Sequence, residues 1–219
     1  MFPVSPAARV SLAAMRVQRG FTLIEVMVVI VMLGVLLALG IPSLSAWIMA
    51  NKAASANEFY MEGFRAARQQ AIGHNTPSRI VLTSNDTTGQ MDWQVDICFP
   101  VAGAPCTATS ANWSTTTTAA PNDPDTGAKF TSLTRSADIL PSTNVIAPTL
   151  LPTNAYAIYY TALGWVDTSF ANRLTRLQLD PLPAYVSQLP TTAIAITLAG
   201  MPIRCNAGVA VTDSRGCPP

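Results

Sequence analysis

From Phe21 onward the chain turns apolar. Between Val26 and Ile41 every residue is apolar or glycine. Together with Phe21–Ile24, the run is long enough to span a hydrocarbon core of about 30 Å. One ionisable group, Glu25, interrupts it. Beyond Pro42 the pattern changes rather than ends. Met49, Ala53, Ala56, Tyr60, Phe64, Ala67 and Ala71 recur every three or four positions, which lines them on one helical face for docking against a core. Lys52, Ser55, Glu58, Glu62, Arg65 and Gln69 fall on the other faces. The spacing predicts one helix from Phe21 to about Ala71, roughly 75 Å long at 1.5 Å per residue. Gly73 and Asn75 are candidate stop signals, with Pro77 just beyond. Gly34, Gly40 and Pro42 are weak points, and Pro42 favours a kink because it removes a backbone donor.

After residue 77 the texture shifts to short runs, several of period two. Strands are expected at 79–83, 92–99, 155–161, 173–179 and 192–199. Leu174, Leu177, Leu179, Ile194, Ile196 and Leu198 are candidate core residues. Residues 101–131 are rich in Thr, Ala and Pro and read as a long surface loop. Within it, Trp113 reads as a packing anchor, and the Asn112-Trp113-Ser114 sequon carries little information. A long helix followed by strands places the chain in the α+β class.

Composition sharpens this picture in one respect. Apolar residues make up 49% of the chain and charged ones 11%, about half the usual charged share. The hydrophobic excess sits in the N-terminal run. Arg9, Arg16 and Arg19 precede that run with no acid among them, so removing residues 1–20 takes the net charge from +1 to −2. The body is therefore not basic, which argues against a general grip on nucleic acid. Arginines ahead of the span stay cytoplasmic under the positive-inside rule, and the body then lies outside the cytoplasm.

The four cysteines form two sequence-close pairs, with no CxxC and with the single histidine, His74, remote from both. A zinc site finds no support in that spacing. Beyond an apolar segment, an even count points to disulfides in an oxidising compartment such as a periplasm. Cys205–Cys217 is the favoured pair. Cys98 and Cys106 are left open between a disulfide and two buried thiols.

Three readings of the N-terminal segment compete. A secretory signal needs a small-residue cleavage site after its apolar centre, and Ser43-Leu44-Ser45-Ala46 offers a mediocre one. A plain signal anchor has no use for Glu25, which costs on the order of 2.5–3.5 kcal/mol at such depth. The third reading uses it. Arg19-Gly20-Phe21-Thr22-Leu23-Ile24-Glu25 resembles the processing motif of type IV prepilins and type II secretion pseudopilins. The resemblance implies that a prepilin peptidase cuts after Gly20 and that the new N-terminal Phe21 is methylated. It also implies that Glu25, fifth in the mature chain, pairs with a neighbour's terminal amine during assembly. Charges that are costly alone in a low dielectric become tolerable when paired. In related filaments the stretch around Pro42 loses helix on assembly; a static kink is the alternative. The implied layout is a leader at 1–20, a helix at 21–73 crossing the membrane over about 21–42, and a periplasmic β-rich domain at 74–219.

The second half carries a further resemblance. Ile158-Tyr159-Tyr160, Gly164-Trp165, the strands at 173–179 and 192–198, Gly200-Met201-Pro202-Ile203-Arg204-Cys205 and Asp213-Ser214-Arg215-Gly216-Cys217 follow in that order. They are similar to the GspH/FimT family, over most of the chain except about 100–150. The family fold is a long N-terminal helix packed on antiparallel β-sheet. The terminal cysteine pair and Arg204 before it are closer to minor pilins of the FimU and FimT type than to the secretion pseudopilin GspH. Implied partners are other pilins or pseudopilins, the prepilin peptidase and an inner-membrane assembly platform, with a place in a tip or priming complex. Some members bind DNA through a Gly-Arg-x-Arg-like segment. Gly200–Arg204 keeps the glycine and last arginine of that segment but lacks the other. Arg204 and Arg215 are the candidate DNA contacts, with Arg173 and Arg176 as further charge, and this reading stands behind the structural one.

Enzymatic motifs are missing from the chain: no Walker A loop, GxGxxG, HExxH or GxSxG occurs. His74 reads as a polar helix end. Asp92 and Asp96, on one side of a strand, read as carboxylates on a solvated sheet face. No cofactor, metal or catalytic residue is expected.

Overall fold

One long helix, α1, runs Leu23–His74. In the computed structural model, residues 20–125 and 132–218 are described, without the side chains of 42, 43, 45 and 46. They fall into two units, one up to Leu44 and one from Ser45 onward. In the first, the helix shows exposed apolar side chains throughout Phe21–Ile41, and Leu23–Ile41 is long and apolar enough to cross a membrane.

The second unit carries the rest of α1 and nine strands: β1 Ser78–Ser84, β2 Met91–Cys98, β3 Trp113–Ser114, β4 Leu133–Arg135, β5 Ile146–Leu151, β6 Ala157–Tyr160, β7 Arg176–Pro181, β8 Thr192–Ile196 and β9 Pro202–Cys205. One sheet has the order β3-β2-β1-β6, with β4 also on β2; the other has the order β5-β7-β8-β9. All pairings between these strands are antiparallel. The fold is α+β, an N-terminal helix packed on antiparallel sheets.

The helical stripe does what its spacing predicts. Ala56, Tyr60, Phe64, Ala67 and Ala71 are fully buried, with Met49 and Ala53 packed against the same cluster. Ile80 and Val95 of the first sheet and Leu177, Leu179 and Ile194 of the second meet them there. Each such side chain contributes about 1.5–3 kcal/mol of burial. Gly63 lets the helix approach the first sheet closely, since a Cβ there would come within 2.9 Å of both Ile80 and Trp93. Tyr60 donates to Gln90 Oε1 and accepts from the Met91 amide, both at 3.0 Å. Gln90 in turn reaches the carbonyls of Pro141 and Ile146 at 2.8 and 2.7 Å. Burial pushes the phenols of Tyr60 and Tyr160 well above their usual range, so both stay neutral.

The helix stops at Asn75, whose φ is 51°. The Thr76 and Asn75 amides close on Ala71 and Ile72 at 3.1 and 3.2 Å, a Schellman arrangement. Gly73 stays within the helix.

Several expectations need correction. Four strands, β3, β4, β5 and β9, were not anticipated. β5 holds Pro148, which an edge strand tolerates because no ladder hydrogen bond is lost there. β3 and β4 have only two and three residues, too few to show a period. Leu198 is 67% exposed rather than core, because β8 ends at Ile196 and the chain turns at 197–201. Within the expected loop, the described part up to Asp125 carries β3 and buries Trp113. Residues 126–131 lie outside the described residues.

Two tight turns meet beside α1. Gly164 closes on Thr161 and Gly200 on Thr197, each at 2.8 Å. Arg68 donates to the Gly164 and Ala199 carbonyls at 3.1 and 3.4 Å. A Cβ on Gly200 would lie 2.0 Å from the Gly164 carbonyl oxygen, and its φ of 78° already disfavours a side chain. Gly200→Ala is expected to destabilise the fold by at least about 2 kcal/mol, the left-handed cost adding to overpacking. Gly73→Ala, with open space around it, serves as the control in thermal unfolding of the detergent-solubilised chain.

Candidate functional site: the helix start and the body arginines

Thr22 begins α1. Its hydroxyl accepts the Glu25 amide at 3.3 Å, and its carbonyl accepts the Val26 amide at 3.2 Å. This is an N-cap, and glutamate three residues later completes the sequence pattern of a capping box. The role of Thr22 went unread in the sequence, although Thr22-Leu23-Ile24-Glu25 carried the signal. Glu25 therefore occupies the first helical turn, where the positive end of the helix dipole favours a carboxylate. Among the described residues its carboxylate has no hydrogen-bond or ion-pair partner. Phe21 is 82% exposed. At Gly20 an added Cβ would meet nothing within 4 Å.

What this arrangement can do follows from its neighbours. A carboxylate sits at the start of a 19-residue apolar helix, about 28 Å long. Covering that helix with hydrocarbon or other apolar helices strands the charge unless a cation arrives from outside the helix. Pro42 lies inside α1 as the backbone runs.

The candidate DNA contacts are engaged within the chain. Arg204 of β9 lies 2.6 Å from Glu58 of α1. Arg215 grips Asp213 through two nitrogens, at 3.1 and 2.8 Å. Those hydrogen bonds hold the Asp213 carboxyl below its usual range and the Arg215 guanidinium above its own. Arg173 donates to the Phe170 carbonyl at 3.2 Å, and the Nε of Arg176 is buried without a partner among the described residues.

Both cysteine pairs are bonded, Cys98 to Cys106 and Cys205 to Cys217. The first lies against Trp113 and Tyr159, and Trp113 donates to the Thr107 carbonyl at 2.7 Å while Arg79 stacks on its ring. Asp96 is not on a solvated face as expected. It is 1% exposed and pairs with Arg79 at 2.8 Å. Asp92 accepts from Asn85 and the Ala137 amide. His74 is exposed and bonded to Gln70. Asn112, of the sequon, is buried with its amide on the Ala104 carbonyl, which removes it as an acceptor for a glycan.

The family described as the prokaryotic N-terminal methylation motif matches residues 15–41. No curated protein and no solved structure matches the chain. The match covers the capped helix start and the apolar run together. It supports a type IV pilin-like protein, a membrane-anchored structural subunit that is processed by prepilin peptidase and assembles with other pilins.

Proposed function

We propose that this pilin-like chain is a minor pilin or pseudopilin of the GspH/FimT type, a filament subunit assembled from the bacterial inner membrane. Residues 1–20 form the cytoplasmic leader, cut after Gly20, and Phe21 becomes the methylated N-terminus. The body waits in the periplasm, and assembly then draws the apolar helix into a bundle of like helices. Glu25 meets the terminal amine of a neighbouring subunit there. The observation that carries the reading is the coincidence of the methylation motif over residues 15–41 with a helix that starts, capped by Thr22, two residues beyond Phe21.

The body suits a subunit that must survive outside the cytoplasm, because two disulfides close it. A place in the tip or priming complex follows from the family resemblance. A DNA-capturing version of the role draws no support from Arg204 and Arg215, whose charges are already met by Glu58 and Asp213. We assign the chain no catalysis and no cofactor.

The test is the N-terminal mass and sequence of the protein recovered from its native membrane. A start at methylated Phe21 is the expected result. An intact start at Met1 would reject prepilin processing and leave a signal-anchored domain.

A further inference from the structure

Four body arginines are matched to carboxylates: Arg79 to Asp96, Arg135 to Glu62, Arg204 to Glu58 and Arg215 to Asp213. Arg173 and Arg176 differ. Neither has a carboxylate partner among the described residues, and they line the same groove, about 950 Å³ in volume.

The groove lies on the outer side of the second sheet. Leu177 and Leu179 of β7 point into the core, so Arg176 between them and the chain before it faces outward. In register, Arg176 stands beside Leu151 of β5 and Ala195 of β8. Ala195 packs in a separate cluster with Cys205 and Cys217, so the C-terminal segment lies over this face. Val211 of that segment forms a groove wall, and Leu198 forms another part of the lining. Both are exposed, at 68% and 67%. The Cys205–Cys217 disulfide thus holds one wall in place.

We propose that this groove docks an extended, carboxylate-bearing segment of a neighbouring pilin-like subunit. Arg173 and Arg176 hold the carboxylate, and Leu198 and Val211 contact apolar side chains flanking it. The inference rests on the filament reading given above, which sets like subunits side by side. Charge complementarity selects the occupant. Two guanidiniums lining one groove, with no acid partner among the described residues, match a carboxylate. They neutralise too few phosphates for a nucleic acid, and the chain without residues 1–20 carries −2, because removing Arg9, Arg16 and Arg19 lowers +1 by three. A simple anion would leave the apolar rim uncovered.

Site-specific photocrosslinking tests this in cells that assemble the filament, using the full chain with p-benzoylphenylalanine at Leu198. The expected adduct is with a pilin-like subunit, at a peptide in which an Asp or Glu is flanked by apolar residues. Its yield should fall about tenfold or more in the Arg173→Gln/Arg176→Gln double variant, and should persist in Arg65→Gln. Val211→Glu, which sets a like charge against the incoming carboxylate from a loop rather than a strand, should also abolish it. Thiol alkylation reports whether Cys205–Cys217 remains closed in each variant. An adduct with lipid or DNA, an adduct at a segment without a carboxylate, no adduct, or a yield unchanged by Val211→Glu overturns the proposal. The N-terminal mass of the same sample separates the two levels. Methylated Phe21 without the adduct rejects the groove alone, whereas a Met1 start rejects the filament reading and the groove with it.

Discussion

Replacing Gly20 with valine is expected to leave the chain uncut, so that its intact mass retains the leader and Phe21 carries no methyl group. The effect should be close to all-or-none. The structure makes the experiment interpretable. A Cβ at Gly20 would touch nothing within 4 Å, and α1 begins only at Leu23. The fold therefore has no need of glycine there, and Gly20→Val should unfold at the temperature of the parent chain. If prepilin peptidase reads this glycine, its cleft passes backbone without a side chain there, and valine would block it. Recovery of a Gly20→Val chain starting at Phe21 would show that glycine is dispensable to the peptidase, and the resemblance at Gly20–Phe21 would lose its main consequence.

Local features of this chain could be read from sequence because their physics is local. Helix periodicity from Met49 to Ala71 needed no partner to be visible, and those residues reach the core as predicted. Asn75, one of two candidate stops, proved to be the residue in the left-handed region. The methylation motif is a contiguous string and was equally legible.

Long-range features were not. Arg204 and Glu58 are 146 positions apart, and nothing in either neighbourhood announces their 2.6 Å contact. Asp96 looked like a surface carboxylate from its alternation with Asp92, yet Arg79, seventeen residues away on the neighbouring strand, draws it inside. Leu198 failed for a different reason. It continues the alternation of β8, but the chain has already turned toward Gly200. Proline in β5 and at the start of β9, and the brevity of β3 and β4, hid the remaining strands.

These misses bear on function. Had Arg204 and Arg215 been free, a basic patch would have stood near the C-terminus. Each is instead held by a carboxylate at 2.6–2.8 Å. Such exposed pairs contribute only about 0–1 kcal/mol to stability, but each sets a negative charge beside the arginine that a polyanion would meet. The unmatched charges of interest lie elsewhere, at Glu25 and at Arg173 with Arg176.

Glu25→Leu is expected to leave membrane insertion and cleavage after Gly20 intact while removing the subunit from filaments. The two halves of this outcome have separate causes. Leucine lowers the insertion cost of the segment, since an acid costs up to about 2.5–3.5 kcal/mol at a helix centre, less near the start where Glu25 lies, and leucine none. The helix start survives as well, because Thr22 supplies the cap through its own hydroxyl to the backbone amide of residue 25, a contact that does not depend on the side chain there. Assembly responds in the opposite direction. If the Glu25 carboxylate meets a neighbour's terminal amine in the apolar bundle, its loss leaves that amine buried and unpaired, at a cost of roughly 3–5 kcal/mol. Incorporation should then fall about a hundredfold or more, measured as the ratio of sheared filament to membrane-held subunit by quantitative mass spectrometry. Glu25→Asp, which keeps the charge on a shorter arm, should restore part of that ratio. Equal incorporation of Glu25→Leu and the parent chain would remove the carboxylate from the assembly contact, and Glu25 would then have no function beyond its place in the first helical turn.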